Sequence, residues 1–199
     1  YLPLGANYHR LDTLISSITL DEAKKFSSDI AFVGSLYTEK CPYNRLKEDG
    51  SYLKGYLDGL IEAQLKVYGY NFLEECITDD MVGELKKKVP FYQFPEKAVH
   101  NDKAALAHLY LGNKVTEQER LRLLKSIARY HKVTLYTGSD VSGLPQVEMR
   151  GLAKTMTEMP KIFHLSKINL NFTSKPIRTG LPLRIWDILG AGGFVLTNY

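Results

Sequence analysis

Two loops in this sequence gather residue types that suit an anion. The first, Gly34-Ser35-Leu36-Tyr37-Thr38-Glu39-Lys40, follows a short apolar run. A glycine there lets the backbone approach a ligand, and Lys40 offers a point charge to phosphate. The same residues equally suit a plain strand exit at Gly34 and a solvated lysine. The second loop, residues 174–182 (SKPIRTGLP), runs into an apolar segment with helical spacing. A helix N-terminus presents unpaired N–H groups and a positive dipole to anions. Lys175, Arg178 and Arg184 flank that point, so a diphosphate would meet backbone donors and cations together. Basic residues beside a loop of this kind are also common on surfaces that bind nothing. Asp187, set between Trp186 and Ile188, could accept hydrogen bonds from ribose hydroxyls or simply face water.

Other chemistries lack their residues. No GxGxxG follows the first apolar run and no GxxxxGK[ST] occurs anywhere, so neither a dinucleotide fingerprint nor a Walker-type phosphate loop is indicated. The histidines at 9, 100, 108, 131 and 164 lack metal-ligand spacing, and no metal site is expected. Asp79-Asp80 reads as a helix start. No GxSxG or Cys/His pairing supports a nucleophile, and no catalytic residue is assigned.

The elements that must position the two loops follow from periodicity. DIAFVGSLY, residues 29–37, reads as a buried parallel strand closed by Gly34. From Tyr52 the apolar spacing turns helical, and further helices are expected over 79–88, 101–111 and 116–130. The last would open with a capping box at Thr116-Glu117-Gln118-Glu119. Strands are then expected at 131–138, 146–149, 167–173 and 194–198. Short helices would fall around Pro160 and over 182–189, the second ending at Gly190. Alternation of strand and helix implies an α/β domain: a Rossmann-like parallel sheet of about five strands with helices on both faces. Residues 52–130 would be a helical insertion after the first strand, since a simple crossover needs only a few tens of residues.

Composition sets outer bounds. With 199 residues, 44% hydrophobic and 24% charged, the chain has the means for a real core and has no run apolar enough for a bilayer. The net charge of +4 is scattered, with Lys86, Lys87 and Lys88 the only tight run, which argues against a nucleic-acid groove. Cys41 and Cys76 stand apart, without a disulfide or zinc pattern, so a reducing, cytoplasmic setting is expected. Residues 1–28 read as a linker, extended at YLPLGANYHRLD, and residues 29–199 as the domain. The missing start Met and the stop after FVLTNY suggest a piece of a longer chain, truncated at the C-terminus.

Residues 159–199, MPKIFHLSKINLNFTSKPIRTGLPLRIWDILGAGGFVLTNY, carry a family resemblance. SKINLN, a Gly-Leu-Pro-Leu-Arg helix start and DILGAGGFVLTN, in that order, resemble the C-terminal domain of CgeB-like, spore-maturation glycosyltransferases. These are relatives of the group 1 transferases with the two-domain GT-B architecture. DIAFVGSLY is similar to the first strand of that domain, so the resemblance covers residues 29–199, more vaguely between 52 and 130. It implies one half of a GT-B enzyme, holding a nucleoside-diphosphate sugar, UDP or GDP first among candidates. The acceptor half would precede residue 1. The implied donor contacts are Gly34, Ser35, Lys40, Arg178, Thr179, Gly180, Leu181, Arg184 and Asp187. Group 1 relatives have a GRLxxEKG-like loop, where this chain has Ser35 in place of the Arg, and an E-x7-E pair, where it has Thr179 and Asp187. The family does not rely on a protein-bound metal or cofactor, and the piece alone would bind donor without turnover. The sugar, the acceptor and the stereochemical course stay open. A reading from another class is a non-catalytic α/β interaction module, whose insertion meets a protein partner through Tyr68, Tyr70, Phe91 and Tyr92.

Overall fold

The computed structural model describes residues 5–95 and 101–198; residues 1–4, His100 and Tyr199, parts of the stretches read above, lie outside them. The chain divides into two compact units. One holds residues 1–36, 120–173 and 179–198, and the other holds 37–119 with 174–178.

The first unit is a five-stranded parallel sheet: β1 (Ser28–Val33), β2 (Val133–Tyr136), β3 (Glu148–Met149), β4 (Ser166–Asn171) and β5 (Val195–Thr197), in spatial order β3-β2-β1-β4-β5. Alternate residues of β1 serve opposite layers, as strand geometry requires. Ile30 and Phe32 join Val133, Leu135 and Leu170 under Leu124 of α6 (Asn113–Ala128). Ala31 faces the other way, toward Phe26 and Ile162 of α7 (Met159–Leu165). On that side Met159 and Phe163 also meet Ile188 of α8 (Leu183–Gly190). The Rossmann-like sheet with helices on both faces, read from the sequence, is the observed fold.

The stretch expected to be an extended linker is helical instead. It forms α1 (Tyr8–Ser16) and α2 (Leu20–Phe26). Asn7 caps α1 by accepting from Arg10 N–H, and α2 opens with a capping box between Thr19 and Glu22. Leu11 and Phe26 are buried, and both helices pack on α7. The Thr-x-x-Glu pattern that forms a capping box is the one at Thr19, and the one expected at Thr116 does not start a helix. At residue 116 the chain is already inside a helical run from Asp102 to Ala128, formed by α5 (Asp102–Ala105), a π-helical segment (Leu106–Gly112) and α6. Thr116 donates its hydroxyl back to Gly112 O at 2.8 Å, the usual outlet for a mid-helix threonine.

The second unit is the helical insertion. Besides that run as far as Glu119, it contains α3 (Tyr52–Lys66), capped by Ser51, and α4 (Asp79–Lys88), capped by Thr78. Asp79 and Asp80 fill the first turn of α4 and Lys86, Lys87 and Lys88 the last, each complementing the helix dipole. Its core is separate, built from Leu53, Leu57, Ile61, Leu73, Leu85, Leu106, Tyr110 and Leu111. Phe91 stacks on Tyr110 with ring centroids 5.1 Å apart.

Candidate functional site

The chain leaves β1 toward β2 on one side, and after β3 returns to place β4 on the other. The carboxyl ends of β1 and β4 thus flank the topological switch point, where open α/β sheets bind ligands. Gly34 N–H extends the ladder by donating to Tyr136 O at 3.0 Å, so the chain turns away just beyond it.

Arg120 of α6, which no sequence pattern singled out, spans this point. Its Nη1 donates to Ser35 O at 2.5 Å and its Nη2 to Phe172 O at 2.6 Å. The guanidinium lies 5.5 Å from the centre of the Phe32 ring, which stacks on Phe172. One side chain therefore fastens the loop after β1 to the loop after β4 and leaves a cation between them. Ser139, after β2, completes the lip: its hydroxyl accepts from Leu36 N–H at 2.8 Å and lies 3.4 Å from Ser35 Oγ. Thr137, in turn, accepts from Ser139 N–H. On the far side, Asn198 accepts from Thr173 N–H at 2.9 Å, tying β5 to the end of β4.

Thr179, Gly180 and Leu181 form an exposed turn before α8, with Gly180 at φ +89°. Pro182 sits at the N-cap of α8 and no side chain caps the helix; Ile185 N–H bonds Pro182 O, and the N–H groups of Leu183 and Arg184 are left to water or a ligand. Arg184 is not spread toward that turn. It reaches back to α7, contacting Met159 Sδ and lying over the Phe163 ring, with Asp187 Oδ2 3.3 Å from Nη1. Burial lowers the Arg184 pKa while Asp187 pulls it upward. Asp187, half exposed, is thus the counter-ion of Arg184 and keeps acceptor capacity on its second oxygen. Gly192, at φ +73°, and Gly193 close α8 with a Schellman motif: Gly193 N–H donates to Ile188 O and Gly192 N–H to Leu189 O.

Of the residues expected to hold a donor, Gly34, Ser35, Thr179, Gly180, Leu181, Arg184 and Asp187 belong to the sheet unit. Lys40 and Arg178 belong to the insertion unit. Lys40 is exposed. Arg178 bonds Glu74 Oε2 at 2.8 Å and His108 Nε2 at 2.7 Å. Lys175, from the same loop, lies 3.4 Å from Glu119 Oε1 and 4.1 Å from the centre of the Tyr68 ring. Every cation of that loop region is therefore already matched with a carboxylate. Among the aromatics of the insertion, Phe91 is partly buried against the core, while Tyr68, Tyr70 and Tyr92 are exposed, with the Tyr68 and Tyr70 hydroxyls donating to Glu119 and Glu75.

Among the described residues no group of three or more His, Cys, Asp and Glu is placed to hold a metal, and no helix is long and apolar enough to cross a membrane. Comparison with family models, with curated proteins and with solved structures finds no match for this chain. The Rossmann-like architecture and its switch point are consistent with nucleotide binding in general.

Proposed function

We propose that this chain is the donor-binding part of a CgeB-like glycosyltransferase of GT-B architecture, taking a nucleoside-diphosphate sugar at the β1/β4 switch point. The observation that carries the reading is Arg120, whose guanidinium is fixed between the ends of those two strands in a unit that also contains an uncapped helix start at α8. A diphosphate needs that combination of a positioned cation and backbone donors.

In the proposed reaction the bond from the anomeric carbon to the diphosphate oxygen breaks as a bond from that carbon to an acceptor oxygen forms. Negative charge grows on the leaving diphosphate. N–H groups of the 179–181 turn and the first turn of α8, together with Arg120 of the same unit, stabilise that charge. Asp187 receives the ribose hydroxyls through its free oxygen. The acceptor, and the base that takes its proton, belong to the other half of the enzyme, so this chain binds donor and does not turn over.

The test is calorimetric. A ligand present at 100 times its Kd stabilises the folded state by about 2.7 kcal/mol, which for a chain of this size raises Tm by roughly 5–10 °C. We expect such a shift with UDP or GDP, and its loss in Arg120→Leu. No shift with any of UDP, GDP, ADP, TDP or CDP at millimolar concentration would defeat the proposal. It would favour the second reading, an interaction module, whose specific support is the exposure of Tyr52, Tyr70 and Tyr92 on the insertion.

A further inference from the structure

The insertion unit contains a three-membered cluster whose hydrogen-bond demands do not close. Glu74 Oε2 lies 2.8 Å from Arg178 Nη2 and 3.2 Å from His108 Nε2, and Arg178 Nη2 lies 2.7 Å from that same His108 nitrogen. A single imidazole nitrogen thus faces a donor and an acceptor. If Nε2 carries the proton it serves Glu74 and opposes Arg178. If it carries the lone pair it serves Arg178 and opposes Glu74. In the second case the proton sits on Nδ1, which is buried with no hydrogen-bond partner among the described residues. Each arrangement leaves one contact unfavourable.

Arg178 is also used below its capacity. Guanidinium binds carboxylate and phosphate best through two parallel N–H groups. Here both of its contacts run through Nη2, while Nε and Nη1 make no hydrogen bond among the described residues and the side chain is about half exposed. Glu74 is loosely kept as well: among the described residues its other oxygen has only Asn101 Nδ2, at 3.5 Å. Its carboxyl is held below the ordinary range, first by Arg178 and then, against the effect of burial, by His108, so the group in the cradle is an anion. His108 lies in the π-helical segment, an irregularity that recurs at functional sites.

We propose that Arg178 and His108 form a phosphate-binding cradle in the helical insertion, and that the Glu74 carboxylate is its resting occupant, displaced when a phosphate group binds. A phosphate oxygen pair engages Arg178 through both arms of its fork, and a third oxygen accepts from His108 Nε2–H. As Arg178 turns its fork onto the phosphate, Nη2 leaves His108 Nε2–H, and the opposing contact between the two donors is removed. The ligand class is a phosphate monoester or diphosphate, and all three residues lie in the insertion unit, whereas the donor reading above is carried by Arg120 of the sheet unit.

The experiment titrates the whole chain with inorganic pyrophosphate, glucose 1-phosphate and UDP, in the wild type, Glu74→Gln and the double variant Glu74→Gln/Arg178→Gln. An exposed ion pair of this kind is worth up to about 1 kcal/mol, so removing the competing charge tightens the phosphate ligands by roughly fivefold. The double variant loses that gain. In the wild type, pyrophosphate moves the His108 ring 15N resonances toward the Nε2–H form, a response a purely structural triad would not give. Affinity equal in the wild type and Glu74→Gln, or a gain that survives Arg178→Gln, overturns the cradle. If Glu74→Gln fails to fold, Glu74→Asp, which withdraws the carboxylate by one methylene, carries the same comparison. A gain for pyrophosphate alone identifies the free anion, whereas one shared by glucose 1-phosphate identifies a phosphorylated ligand. Failure here with UDP still bound through Arg120 leaves the donor site standing.

Discussion

Arg120→Leu tests the switch point most directly, because it keeps much of the aliphatic stem and removes only the guanidinium. Ser35 O and Phe172 O then lose charged donors at 2.5 and 2.6 Å. A hydrogen bond to a charged group is worth about 1.5–3 kcal/mol net, and water reaching this part-buried site argues for the lower figure at each carbonyl. The lost contact over Phe32 adds about 0.5–1 kcal/mol. The sum is about 3.5–4 kcal/mol. At about 2–4 °C per kcal/mol for a chain of this length, Tm falls by roughly 7–16 °C. Arg120→Lys discriminates the mechanism, since a single ammonium cannot reproduce the planar fork and should recover about half the loss. Differential scanning calorimetry on the three proteins, with UDP titrated into each, reads both stability and binding. If both variants melt within about 2 °C of the wild type, the bridge between the two strand ends contributes too little to organise a site, and the reasoning fails.

Three further outcomes follow from packing and from burial. In Gly193→Ala the new Cβ would stand 2.6 Å from Phe163 O and 2.8 Å from Asn169 Nδ2, so urea melts should show a loss of about 1–3 kcal/mol; Gly83→Ala in α4, where nothing lies within 4 Å, should instead gain about 0.5–1 kcal/mol. The Cys41 thiol is pushed from 9.0 up to about 11, first by burial and then by Glu117. The folded value lies above the unfolded one, so this contribution is complete below pH ~8.5 and disappears as pH rises toward 11, about 3 kcal/mol in all. The stability difference between wild type and Cys41→Ala should shrink accordingly between pH 8 and pH 11, and a constant difference would show that the thiol does not ionise against burial.

Much of the scaffold was legible because its signals are local. The apolar run at Ile30–Phe32, the helical spacing from Tyr52, the start at Asp79 and the stop around Gly190 each depend on neighbours within a turn or two of chain. Local signals also misled where their surroundings decide. Thr19-Glu22 and Thr116-Glu119 share one pattern, but only the first meets a helix that begins there. The segment around it looked like linker because the burial of Leu11 and Phe26 depends on α7, far along the chain. The candidate site divides the same way. Gly34, Ser35 and the 179–181 turn could be named from the sequence, since a strand end and a helix start are features of the backbone path. Which cations remain for a ligand could not, because ion pairs and hydrogen bonds form between residues that only folding brings together: Lys175 with Glu119, Arg178 with Glu74, and Arg120 with carbonyls from the loops after β1 and β4. The order of residues was enough to specify strands, helices and their alternation. Strand order, and with it the position of Arg120 at the switch point, came only with the tertiary structure, because pairing energy depends on which surfaces meet and not on which residues are adjacent.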